Sequence, residues 1–184
     1  MRMPHHDRLD IAEIINFEKY PITGPDRSGR GVVERCRAEL AEDGACQLDG
    51  FMRPAATQAV LAEAEVLSGK AFRTDATHNA YFTKVTARLT DEDPRAVRVR
   101  SSKRALGFNY CGTSSPLRIL YEWDGLVAFL KDVLELPDLY HDADPVGACS
   151  VMFYDDGDEP GWHFDNSEFA VTLMLQESMP LKDL

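Results

Sequence analysis

Residues 151–176, V-M-F-Y-D-D-G-D-E-P-G-W-H-F-D-N-S-E-F-A-V-T-L-M-L-Q, constrain the fold more than any other stretch. The turn-forming run D-D-G-D at 155–158 separates segments that read as short strands at 149–154, 161–165 and 168–176. The last alternates Val171, Leu173 and Leu175 with Ala170, Thr172 and Met174, so it is apolar on both faces, as in a strand buried within a sandwich. In the middle segment His163 and Asp165 lie two residues apart, and a strand directs both side chains from one face. One imidazole and one carboxylate on one face are two of the three parts of a facial 2-His-1-carboxylate triad. Such a triad suits Fe(II), because ligands gathered on one side leave coordination positions open.

A chain of 184 residues with 44% hydrophobic content is long enough for one domain with a real core. The reading is a single domain over 1–184, mainly helical over 1–140, with strands concentrated over 145–176. A formal net charge of -11 argues against a nucleic-acid backbone as partner. No apolar run reaches membrane-spanning length, and the polar start M-R-M-P-H-H-D-R is not a signal peptide, so cytoplasmic localisation is expected. Cys36, Cys46, Cys111 and Cys149 match no C-x-x-C spacing and read as part-buried free thiols. His5 and His6 read as part of a disordered end.

Helical periodicity is expected over 9–17, over 31–42 with Gly44 as the stop, and over 55–67 after Pro54. Two further helices follow, one from Leu117 behind Ser114-Ser115-Pro116 and one over 125–134. Short strands are expected at 45–51, 79–83 and 105–110. Residues 88–104 carry Arg88, Arg95, Arg98, Arg100, Lys103 and Arg104. This cluster reads first as a solvated loop or helix balanced by nearby acids. The sharper alternative is a wall that attracts an anionic co-substrate. His141, beside Asp142 and Asp144, reads as structural. The sum is an α+β pattern, with helices buttressing a β-sandwich.

By itself H-x-D is a weak signal. Its context is stronger: an acidic turn and Gly161-Trp162 precede it, and an apolar strand follows. G-D-E-P-G-W-H-F-D-N-S-E-F-A-V-T-L-M-L-Q resembles the core of the Fe(II)/2-oxoglutarate-dependent oxygenases, in the branch of free-amino-acid radical halogenases and related hydroxylases. S-P-L-R-I-L-Y-E-W-D-G-L at 115–126, A-D-P-V-G-A at 143–148 and D-G-F-M-R-P at 49–54 carry the resemblance further, over about residues 30–176. It implies N-terminal helices packed on a double-stranded β-helix (a jelly-roll, or cupin-like, fold). It implies His163 and Asp165 as iron ligands and 2-oxoglutarate as co-substrate. It also implies hydroxylation of an unactivated C–H bond in a small substrate such as a free amino acid. In the halogenases of this branch Gly or Ala replaces the carboxylate ligand. Here Asp165 fills that position, so hydroxylation is expected over halogenation. Tyr154, whose hydroxyl could reach an anionic ligand, is a candidate for co-substrate binding. Trp162, Asn166 and Glu168 are candidates for the substrate pocket, and for each a surface or core role is at least as good a reading.

The chain also departs from that family. The family draws a second metal His and a basic 2-oxoglutarate anchor from later strands, whereas after His163 this sequence has no His, no Arg and one Lys, Lys182. The expectation is therefore a C-terminally truncated chain with an incomplete jelly-roll and an open sheet edge prone to self-association. His78 or His141 could stand in as third ligand, although neither occupies the family's position. Two other readings stay open: an inactive remnant that binds a partner through its open edge, and a non-redox cupin-like protein using Zn or Mn.

Overall fold

A computed structural model describes residues 9–22, 29–84, 89–90 and 92–177. The expectations for His5, His6, Arg88 and Lys182 lie outside these residues. Within them the chain is α+β, with helices α1 (Ile11–Ile14), α2 (Arg30–Asp43), α3 (Pro54–Leu67), α4 (Pro116–Tyr121) and α5 (Asp124–Val133). Strands β1 (Phe72–His78), β2 (Val99–Gly107) and β3 (Ser150–Phe153) form one antiparallel sheet in the order β1-β2-β3.

Local chemistry explains the helix ends. The Asp10 carboxylate accepts from Ala12 N–H at 3.0 Å, and Glu13 returns a bond to Asp10 N–H at 3.3 Å, a capping box that starts α1. The helix is shorter than its periodicity suggests, because Ile15 leaves it to form a β-bridge with Met52. Asn16 N–H then donates to Phe51 O at 2.9 Å and Arg53 N–H to Ile14 O at 2.8 Å. This exchange completely buries Ile14 and Ile15. Gly44 ends α2 in the left-handed region (φ 71°), and Pro54 and Pro116 open α3 and α4. Ser115 precedes α4 as expected, but its hydroxyl is buried and makes no cap bond.

The strands fall elsewhere than the sequence reading placed them. No strand forms over 45–51, where the chain supplies only the Met52 bridge. Residues 79–83 are a turn, and the strand lies just before them as β1. The expected strand at 105–110 ends at Gly107, and Phe108–Tyr110 is a 3-10 turn. Of the basic cluster, read as loop or helix, Arg100, Lys103 and Arg104 lie in strand β2, whereas Arg95 sits in a 3-10 turn before it. Two of the three strands therefore lie between α3 and α4, inside the part expected to be mainly helical. Most consequentially, 161–165 and 168–176 are not ladder-paired strands. Val171 and Met174 are exposed, and Leu175 alone of the expected apolar row packs partly on the core. A strand needs a partner for its backbone groups, and no described element offers 168–176 one.

One sheet face changes character along its length. Leu106 and Val151, paired in register, face the core with α3 and α4 side chains. Next on that face comes Arg104, paired with Phe153, its guanidinium 5.0 Å from the Phe153 ring. Beyond it the face is ionic. Arg73 grips Asp158 through two bonds of 2.7 and 2.6 Å, Arg104 grips Asp155 (2.8 and 2.8 Å) and Arg100 grips Asp75 (3.0 and 2.8 Å). Arg95 pairs with Asp93, and Arg98 donates to Thr77 O. Arg95, Arg100 and Arg104 are thus balanced by nearby acids, and Arg98 is held by a backbone carbonyl. The four cysteines are free thiols.

Candidate metal centre

The acidic turn after β3 aims the His-x-Asp segment. Asp155 and Asp158 are clamped to β2 and β1 by Arg104 and Arg73. The Asp158 side chain is only 2% exposed, and its bond to Arg73 holds its carboxyl at about 2. Arg100 and Arg104 likewise lower the carboxyls of Asp75 and Asp155 through their side-chain hydrogen bonds. From Asp158 the chain runs beside β2 without a regular ladder. Ser102 N–H donates to Glu159 O at 2.8 Å, and Glu159 N–H to the Ser102 hydroxyl at 3.3 Å. Gly161 then comes so close to β2 that a Cβ there would lie 2.4 Å from Arg100 O, and its φ of 39° also favours glycine. Phe164 N–H closes the segment onto Ala80 O at 2.8 Å.

His163 and Asp165 are brought together although no regular strand carries them. His163 Nε2 lies 3.5 Å from Asp165 Oδ1. His163 Nδ1 is 2.7 Å from Gly161 O. A carbonyl oxygen only accepts, so Nδ1 carries the hydrogen, and in the neutral ring Nε2 presents its lone pair towards the carboxylate. Metal-binding histidines are commonly held in this way, the remote N–H fixed by a backbone carbonyl.

A cleft of about 570 Å³ opens here, lined by Val99, Arg100, Glu159, Pro160, Gly161, Trp162 and His163. Trp162 is 87% exposed and lines the cleft. Tyr154, Asn166 and Glu168 are exposed and not among the lining residues. Arg100 is the lining cation, but its guanidinium is engaged by Asp75 and by Gly157 O at 3.2 Å.

The turn at 79–83 contributes residues that the sequence reading did not connect to the site. Asn79, 1% exposed, accepts from Tyr81 N–H and Thr83 N–H at 3.1 Å each and donates to Thr83 O at 3.0 Å. The turn puts Phe82 at φ 52°, an unusual backbone for a bulky residue. Its ring centroid lies 4.5 Å from that of His78 and 5.1 Å from that of His163. His78, at the end of β1, thereby comes edge-on to His163 with centroids 6.0 Å apart. His141, the other stand-in, packs against Tyr121 at 5.4 Å. A buried Asn followed by an aromatic pair, N-A-Y-F, was the available signal for this turn. Among the described residues, no three His, Cys, Asp or Glu side chains stand in metal-holding geometry. No family model, curated protein or solved structure matches the chain.

Proposed function

We propose that this chain carries the site of an Fe(II)- and 2-oxoglutarate-dependent oxygenase of hydroxylase type, related in fold to the jelly-roll oxygenases. Its substrate would be a small molecule such as a free amino acid, and its setting the cytoplasm. The observation that carries the reading is the 3.5 Å approach of His163 Nε2 to the Asp165 carboxylate, with the imidazole fixed through Nδ1–H. The donor set, an imidazole and a carboxylate beside an open cleft, fits a divalent iron that keeps positions free. In that role His163 and Asp165 would hold the metal, which when bound would supply oxygen activation coupled to 2-oxoglutarate decarboxylation. Trp162 would shield the substrate side of the cleft, and the Arg73–Asp158 clamp would orient the ligand segment. The substrate class rests on the sequence resemblance.

Anaerobic titration with Fe(II) and 2-oxoglutarate tests this. The expected outcome is a visible metal-to-ligand charge-transfer band that is absent in His163→Ala and in Asp165→Ala. A folded wild-type chain without the band would sink the reading.

A second reading, binding of a partner or of another copy through the sheet edge, is favoured by one feature. Among the described strands β1 pairs only with β2, leaving its outer edge open, with Phe72 exposed there. Sedimentation as a concentration-independent monomer would remove the self-association form of it.

A further inference from the structure

Resting on the second reading above, in which the open sheet edge binds another copy, we propose that β1 pairs antiparallel with β1 of a second copy of this chain. Arg73 of each copy lies opposite Asp75 of the other, and Thr74 sits on the two-fold axis. The backbone sets which residues can pair. Ser102 N–H is turned away from β1, because it donates to Glu159 O at 2.8 Å. In an antiparallel ladder a residue's N–H and C=O leave the same side, and successive residues alternate. Ser102 is in register with Asp75, and Arg104 and Arg100 with Arg73 and Thr77. The N–H and C=O of Arg73, Asp75 and Thr77 therefore point to the outer edge. Thr77 O is taken by the Arg98 guanidinium at 2.7 Å. Arg73 and Asp75 are left with backbone groups that have no partner among the described residues.

Charge then selects the register. A two-fold copy must set outward residues against outward residues. One arrangement puts Arg73 opposite Arg73 and another Asp75 opposite Asp75, and like charges directly opposite are destabilising. The remaining one puts Arg73 opposite Asp75 twice. Each of those pairs exchanges both backbone hydrogen bonds, and Thr74 meets Thr74 between them, itself a favourable pair. Both charged side chains are within reach of a second copy, although each also has a partner in its own chain: Arg73 is 41% exposed and Asp75 48%. The other sheet face agrees. Phe72, 75% exposed, forms a row with Ala105 and Met152 across the sheet. In the Arg73–Asp75 register that row continues onto Ala76 of the other copy, which covers part of Phe72. The product joins two three-stranded sheets into one in which neither β1 edge is open.

Thr74→Cys in the intact chain reads the register directly. On the two-fold axis the two cysteines sit at a non-hydrogen-bonded position with Cα atoms about 4.5 Å apart, inside the range a disulfide spans. Oxidised glutathione, by accepting the two electrons, should convert this variant to a covalent dimer. Mass spectrometry should find position 74 of one chain linked to position 74 of the other. Arg73→Cys and Asp75→Cys should not cross-link to themselves. Charge exchange, read by sedimentation, gives the second measurement. Arg73→Glu alone and Asp75→Arg alone each set like charges opposite one another, and each should dimerise about 2- to 30-fold more weakly than wild type. An equimolar mixture of the two restores both opposite-charge pairs and should recover wild-type association, which a loss of folding would not. Dimers that cross-link through position 73 or 75 rather than 74 would overturn the register and leave edge binding standing. A wild type that is monomeric at every concentration, with no cross-link in any variant, would remove both.

Discussion

Ile14, Ile15 and Val60 lie between α1, α3 and α4 with at most 1% of their surface exposed, whereas Trp162 and Met174, in the segment that carries the candidate ligands, are 87% and 77% exposed. Burial is strong but without direction, so it can hold helices together while saying little about where one side chain points. The 158–165 segment is held by directed bonds instead. Arg73 binds Asp158, Ser102 exchanges bonds with Glu159, and Ala80 O accepts from Phe164 N–H. The contrast teaches that the helical layer supplies stability, and that the ionic end of the sheet supplies the aim of His163 and Asp165.

Three experiments break or sharpen that contrast. The largest effect belongs to the core. Leu106, 1% exposed, leaves a cavity when truncated, and Leu106→Ala should lose about 2–5 kcal/mol in chemical denaturation. Met174→Ala should change stability by no more than about 0.5 kcal/mol. Equal losses would mean that 168–176 is buried in solution.

Next comes Gly161→Ala. Its Cβ would press on Arg100 O from a left-handed backbone, at a cost of about 1–3 kcal/mol, and the displaced His163 should bind metal more weakly. Gly157→Ala is the control. That φ is also positive, at 78°, but nothing lies within 4 Å of its Cβ, so stability should fall by only about 1–2 kcal/mol with metal binding intact. Matching metal affinities in the two variants would show that the close approach at Gly161 does not set the site.

The smallest effect is that of pH. Folding lowers the Asp158 carboxyl from 3.8 to about 2, so its contribution is present above 3.8 and is lost as pH falls through about 2. Thermal melting of the wild type should drop across that window, and Asp158→Asn should remove part of the slope. Parallel melting curves for the two proteins would show that the clamp contributes nothing.

Much of the helical part was legible because its signals are local. Gly44 has no Cβ to oppose a left-handed cap, Pro54 and Pro116 fit first-turn positions, and the periodicity of 31–42 and 125–134 needs no distant partner. The β part was legible only where it borders such signals, as at β3 before the D-D-G-D turn. Strand β2 was hidden because V-R-S-S-K-R-A lacks an apolar face. Its Arg100 and Arg104 are satisfied by Asp75 and Asp155, which lie 25 and 51 positions away. The apolar alternation of 168–176 misled for the converse reason, since a pattern shows what a segment could bury and not whether a partner strand is there.

What the sequence determined alone was the helices that support the sheet, because their periodicity and caps follow from spacing along the chain; the approach of His163 to Asp165 did not, since the strand expected to carry them does not form. Only the tertiary structure decided that Asn79 folds a turn placing Phe82 over His163, and that β1 delivers His78 to the same place. Those juxtapositions join residues some 85 positions apart through backbone bonds and ring packing, which no periodicity records.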